Sequence, residues 1–215
     1  MFVSSVYSNQ SEIYICCVDR SFEDTSYLKN RSTAKDRLPS DAREVVASLR
    51  KYYRIVPEAW RRYLTKLEAT EYELPSNEAE MRYFLFSECL DVMRKKRFRT
   101  PFQLSAEDEI LRGKKADFSL GRVHGRFVAV ELKLFPEYEK ARKDILKLRE
   151  YVKEKATCGF FLMLADATGD YQRNLDLKAL GIEENGAHSW FGWETIKPKH
   201  RNILLETLIV SLIAD

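Results

Sequence analysis

Three side chains in the middle of the chain have the types and spacing to act together. Asp117 stands at the head of one short apolar run, and Glu131 and Lys133 lie on a second run with Leu132 between them. The runs, residues 115–120 and 126–134, flank Gly121-Arg122-Val123-His124-Gly125, a loop with a glycine at each end. That is the turn chemistry of a β-hairpin. In the second run Val128, Val130, Leu132 and Leu134 share one face, and Phe127, Ala129, Glu131 and Lys133 share the other. A half-buried strand does not ordinarily continue a face begun by Phe and Ala with a carboxylate and an ammonium. With the pairing centred near Val123, Asp117 is expected opposite Ala129 and diagonal to Glu131, within cross-strand reach.

Two carboxylates, a backbone carbonyl such as that of Leu132, and waters make an oxygen-only site for a hard divalent cation. Mg²⁺ is the expected cofactor, with Mn²⁺ able to substitute. A lysine beside such a cation can orient or deprotonate the water that attacks a phosphodiester. The alternative is a surface hairpin with a cross-strand salt bridge of almost no net energy.

Asp117, thirteen intervening residues, then Glu131-Leu132-Lys133 resembles the signature of the PD-(D/E)xK nuclease superfamily, the restriction-endonuclease-like fold. The look is similar to that of archaeal Holliday-junction resolvases and archaeal-virus nucleases. Ala116 stands where the family name has proline. The resemblance covers roughly residues 76 to 165. It implies an α/β fold: a restriction-endonuclease-like α-β-β-β-α-β core with a mixed central sheet flanked by helices. It also implies a Mg²⁺-dependent deoxyribonuclease, an endonuclease in preference to an exonuclease, acting on duplex or branched DNA. In that role Asp117, Glu131, Lys133 and Glu88 are catalytic. Asp117, Glu131, Leu132 and Glu88 hold the metal. The competing class is a nucleic-acid-binding or scaffold protein on the same fold, without chemistry.

Composition sets the outer limits. The chain has 215 residues and a net charge of only +3. It is long enough for one domain with a sizeable core. A chain so near neutrality does not coat polyanions, so any DNA contact comes from local patches. The four cysteines (Cys16, Cys17, Cys89, Cys158) form no CxxC pair, and there are three histidines. A zinc site and a disulfide framework are therefore not expected. No apolar run approaches membrane-spanning length, and no basic leader begins the chain. The expectation is a cytoplasmic protein with reduced cysteines and no membrane partner.

The elements that must position the trio follow in order. Residues 1–75 read as an N-terminal appendage, with strands over 2–7 and 13–18 and helices over 41–53 and 58–67. Its aromatics, Tyr53, Trp60 and Tyr63 among them, read as core. Residues 76–215 read as the nuclease-like core. Asn77 with Glu80 three residues on fits a helix-starting capping box after Pro75. The stripe Met81, Leu85, Cys89, Val92 follows, with Glu88 intruding on its edge. A carboxylate there is costly unless it is paired or binds metal. The superfamily commonly carries an acid on this helix, which makes Glu88 the choice and leaves Glu80 to the cap.

The helix ends in a basic run, Arg94, Lys95, Lys96, Arg97 and Arg99, which reads either as dipole complementation or as phosphate contact. Lys114 and Lys115 add to the second reading. Pro136 opens a further helix to about residue 155, with Ala141, Ile145, Leu148 and Val152 buried. The resemblance implies a polar residue on it facing the site, and Lys147 is the candidate. Residues 160–165 form an unbroken apolar run that suits a strand buried on both faces, parallel to the Glu131 strand. The tail is expected to add a helix over 171–180, a strand over 189–196 and a last helix from Pro198. The stripe Leu205, Leu208, Ile209, Leu212 in that last helix suggests a homodimer contact.

Overall fold

The computed structural model describes residues 53–96, 104–106, 109–111, 113–123, 126–154, 156–184, 186, 189–199 and 201–213. The strands over 2–7 and 13–18, nearly all of the helix over 41–53, Cys16, Cys17, Arg97 and Arg99 lie outside the described residues.

Helix α1 spans Ile55–Glu68. Pro57 sits in its first turn, where a missing amide costs nothing. Ile55, Val56, Ala59, Trp60, Tyr63, Leu64 and Leu67 recur at helical spacing and are all buried. Helix α2 spans Glu78–Lys95. Its cap is as the sequence implies: the Asn77 side chain accepts from the Glu80 amide at 2.9 Å. The Glu80 carboxylate turns back one residue further than a capping box, to the Ser76 amide at 2.7 Å. Met81, Leu85, Cys89 and Val92 are buried.

Among the described residues, six strands form the main sheet: β1 (Leu104–Ala106), β4 (Phe118–Val123), β5 (Arg126–Leu134), β6 (Ala156–Asp166), β7 (Ser189–Ile196) and β8 (Leu205–Ile213). Two short strands, β2 (Glu109–Leu111) and β3 (Lys114–Lys115), pair separately. The order across the main sheet is β1-β4-β5-β6-β8-β7. β5 and β6 are parallel, and every other pair in this sheet is antiparallel. Helix α3 (Tyr138–Glu154) makes the crossover between the parallel pair, as a parallel connection requires. A four-residue helix α4 (Tyr171–Asn174) follows β6, so the helix expected over 171–180 is one turn followed by hydrogen-bonded turns.

Helices cover both faces of the sheet. On one face α1 and α2 bury Val128, Val130, Leu132, Phe160, Leu162 and Leu164. On the other, α3 buries Phe127, Ala129, Phe161, Met163 and Ala165. The alternation read along β5 is thus the alternation between two cores. The first core runs across the boundary drawn near residue 75, because α1 belongs to it. A buried chain of hydrogen bonds pins it further: Trp190 Nε1 donates to the Tyr53 hydroxyl at 2.8 Å, which lies 2.9 Å from Ser211 Oγ.

Two expectations fail here. Residues 205–213 are a strand, not a helix. β8 is covered on both faces, so Leu205 and Ile209 enter one core while Leu208, Val210 and Leu212 enter the other. A strand apolar on both sides carries no alternation, and its residues satisfy a helical spacing by default. The stripe Leu205, Leu208, Ile209 and Leu212 assigned to a dimer contact is therefore buried inside the chain's own sheet. Second, the hairpin is shifted from a centre near Val123. Phe118 pairs with Val130 and Ser119 with Ala129, and the register slips between Leu120 and Val123. Gly121 supplies the slip with a φ of 62°, a conformation that glycine adopts without strain. The shift carries Asp117 from opposite Ala129 to the level of Glu131.

Candidate active site

Asp117 stands just before β4, and its Oδ2 accepts a hydrogen bond from the backbone amide of Leu132 at 2.7 Å. That bond ties it to the strand position between Glu131 and Lys133. Glu131 and Lys133 continue the β5 face that Phe127 and Ala129 begin, toward α3. The expected convergence of Asp117, Glu131 and Lys133 is present, through a register other than the expected one.

Glu131 is only 1% exposed. Its Oε2 lies 2.8 Å from Lys147 Nζ on α3. Its Oε1 is buried with no hydrogen-bond partner. Burial pushes its carboxyl up to about 8, against the pull of the Lys147 ammonium and with the help of Asp117 and Asp144. Asp117 is also raised by burial, opposed by the Leu132 amide and by Lys133. Lys133 Nζ lies 3.2 Å from Glu78 Oε2 and 3.2 Å from Asp144 Oδ2. Burial lowers its pKa, but Asp144 and Glu78 outweigh that, and the net shift is upward. Lys147 behaves alike: burial is outweighed by Glu131 and then Asp144.

Three further side chains stand beside the cluster. Asp144 precedes Lys147 by three residues on α3 and meets it at 3.4 Å. Arg82 on α2 lies 3.9 Å from Asp117 Oδ1. Tyr151, one turn beyond Lys147, donates its hydroxyl to the Lys115 carbonyl at 3.0 Å. Asp144 and Tyr151 fall at i−3 and i+4 from Lys147, so the choice of Lys147 already pointed to them. Glu78 and Arg82 share one face of α2, a turn apart, and nothing local marks that face as the one that meets β5.

Glu88 is not brought to this pocket. It is buried at 1% exposure, and its Oε1 accepts from Lys66 Nζ at 2.6 Å and from the Tyr72 hydroxyl at 2.5 Å. Its Oε2 pairs with Arg62 Nε at 3.3 Å. The costly carboxylate is paired, the other solution left open by its position. Ten residues past Glu78, it stands about 15 Å further along the helix. The acid of α2 that reaches Lys133 is Glu78.

The basic run is partly spoken for. Lys96 Nζ meets Glu58 Oε2 at 2.5 Å, and Lys95 Nζ meets Asp91 Oδ2 at 3.2 Å. Lys114 pairs with Glu150. Arg94 and Lys115 are exposed. Lys147 is placed at the trio itself rather than on a separate phosphate-binding surface.

Among the described residues, no three His, Cys, Asp or Glu side chains are grouped closely enough to hold a metal ion between them. A hard cation that keeps several waters needs only one or two protein carboxylates. Glu131 Oε1, buried and unpartnered beside Asp117, is the atom whose condition such a cation would relieve. The donor set is all oxygen, which suits Mg²⁺ or Mn²⁺. Among the described residues, no helix is long and apolar enough to cross a membrane. Compared with protein-family models, with curated proteins and with solved structures, the chain matches none.

Proposed function

We propose that the chain is a metal-dependent nuclease that hydrolyses DNA phosphodiester bonds, built on a restriction-endonuclease-like core. The observation that carries this reading is the partnerless, buried Glu131 Oε1, with Asp117 at the same level and Lys133 two residues on. Asp117, Glu131 and the carbonyl of Leu132 would hold Mg²⁺, with Mn²⁺ a substitute. When bound, the ion would acidify a water and stabilise charge developing on the phosphate. Lys133 positions the attacking water. Glu78 and Asp144 hold its ammonium from two sides, so its direction is set before substrate arrives. Asp117 keeps Leu132 and its neighbours in register by accepting the hydrogen bond from the Leu132 backbone amide. Burial excludes bulk water from Glu131 and strengthens every charge interaction there.

DNA is the proposed partner, and the exposed Arg94 and Lys115 are candidates for its phosphates. One centre of this kind cuts one strand, so cleavage of both strands would call for a homodimer, which light scattering at tens of micromolar tests. The decisive assay compares four-way junction, linear duplex and single-stranded DNA with Mg²⁺ and with EDTA. Cleavage by the parent in Mg²⁺ alone, lost in Lys133→Ala, is the expected result. Equal cleavage by parent and variant would overturn the assignment.

One observation favours a second reading. Lys133 and Lys147 are already ion-paired within the chain. A scaffold or nucleic-acid-binding protein without chemistry would show such a network. It would retain DNA in the same assay and cut none of the three substrates.

A further inference from the structure

We propose that Lys147 is a resident counter-ion that a divalent cation must displace from Glu131, and that nucleic-acid phosphate assists the displacement. The inference rests on the metal-dependent reading of the site. Lys147 Nζ lies 2.8 Å from Glu131 Oε2, so a +1 charge already stands against the carboxyl group that a cation would use. A divalent ion on Glu131 Oε1 would stand within a few ångströms of that ammonium, and like charges at such range in a poorly solvated pocket repel strongly. The ammonium therefore withdraws when the ion enters.

The pocket contains the place to which it withdraws. An ammonium has three donors. Those of Lys147 face Glu131, Asp144 Oδ1 at 3.4 Å and the Lys115 carbonyl at 3.4 Å. Releasing Glu131 leaves two partners in reach, one of them charged. The side chain is 27% exposed, so its tip can move outward. Lys133 lacks this freedom, because Glu78 and Asp144 hold it from two sides. Of the two lysines, Lys147 yields and Lys133 stays.

Reciprocity follows. A phosphate at the mouth of the pocket offers Lys147 a new anionic partner, which lowers the cost of leaving Glu131. Metal and nucleic acid then bind with positive coupling, each raising the affinity of the other by the same factor. Without substrate the centre holds metal weakly, with its own lysine in the way.

Titration calorimetry with Mn²⁺ tests this on parent, Lys147→Met and Lys147→Arg, each checked for folding by thermal melting. Lys147→Met removes the competing charge and keeps the stem. It should bind Mn²⁺ about tenfold tighter or more without nucleic acid, while Lys147→Arg stays as weak as the parent. A phosphorothioate oligonucleotide that resists cleavage should raise the parent's Mn²⁺ affinity and leave that of Lys147→Met nearly unchanged. Equal or weaker binding by Lys147→Met, with the parent still binding Mn²⁺, would overturn the counter-ion role and leave the nuclease reading intact. No Mn²⁺ binding by either protein would overturn both.

Discussion

The carboxylate of Asp117 and the backbone amide of Leu132 are joined by a 2.7 Å hydrogen bond. One residue thus serves the register of the hairpin and the charge of the pocket. The two roles separate by substitution. Asp117→Asn keeps an acceptor for the amide and removes the charge, so it should abolish Mg²⁺-dependent cleavage with an unchanged or slightly raised melting temperature. Asp117→Ala also loses the hydrogen bond and should cost about 2 kcal/mol. Thermal melting beside a cleavage assay measures both, and full cleavage by Asp117→Asn would refute the catalytic assignment.

Glu131 makes the metal-free protein lose stability as pH rises from the acid range to about 8. Its folded-state carboxyl is raised to about 8 from an ordinary 4.5, chiefly by burial. The folded chain therefore holds a proton that the unfolded chain has released between those values. Stability falls as pH rises through that window, and the loss is complete above about pH 8. Melting in EDTA should show this decline. Glu131→Gln should flatten it and melt higher than the parent at pH 9. A parallel decline in the variant would assign the effect to another group.

Glu88 should matter to folding and not to metal. Glu88→Gln leaves Lys66 and Arg62 without their carboxylate at the junction of α1 and α2. Those cations reach solvent, so the cost is below that of breaking a fully buried pair, about 2 kcal/mol. Mn²⁺ affinity should not change. A weakened metal isotherm with intact stability would reverse the assignment.

Gly159 should resist any side chain. A β-carbon there would meet Leu148 Cγ at 2.6 Å, and Leu148 is buried in the α3 face of the sheet. Gly159→Ala should cost about 1 to 3 kcal/mol through overpacking. It should also lower cleavage, because α3 carries Asp144 and Lys147. Full cleavage in a destabilised variant would show that the helix shifts without disturbing the pocket.

What could be read from the chain followed from local chemistry. The cap at Asn77, the two-faced pattern of β5 and the doubly buried run of β6 each express a rule that acts over a few residues. The misses were non-local. The slip at Gly121 depends on which partner strand the loop must meet. The partners of Glu88 come from α1 and, with Tyr72, from the segment after it; Lys66 lies 22 residues away. The 205–213 run is apolar on both faces, and only its neighbours decide between helix and strand. Glu78 entered the pocket because packing turned its face of α2 toward β5, which sequence periodicity does not specify.

The sheet order β6-β8-β7 has a consequence for synthesis. β8 follows β6 and β7 in the chain, yet it fills the gap between them. Until it emerges, β6 shows an open row of amides and carbonyls along one edge, and β7 has no sheet neighbour among the described residues. Both strands are largely apolar, and a bare apolar edge is a template for aggregation. A chain cut before residue 205 would lose more than one strand: it would leave two sticky edges facing an empty slot. The nascent chain is in that condition until residues 205–213 leave the ribosome.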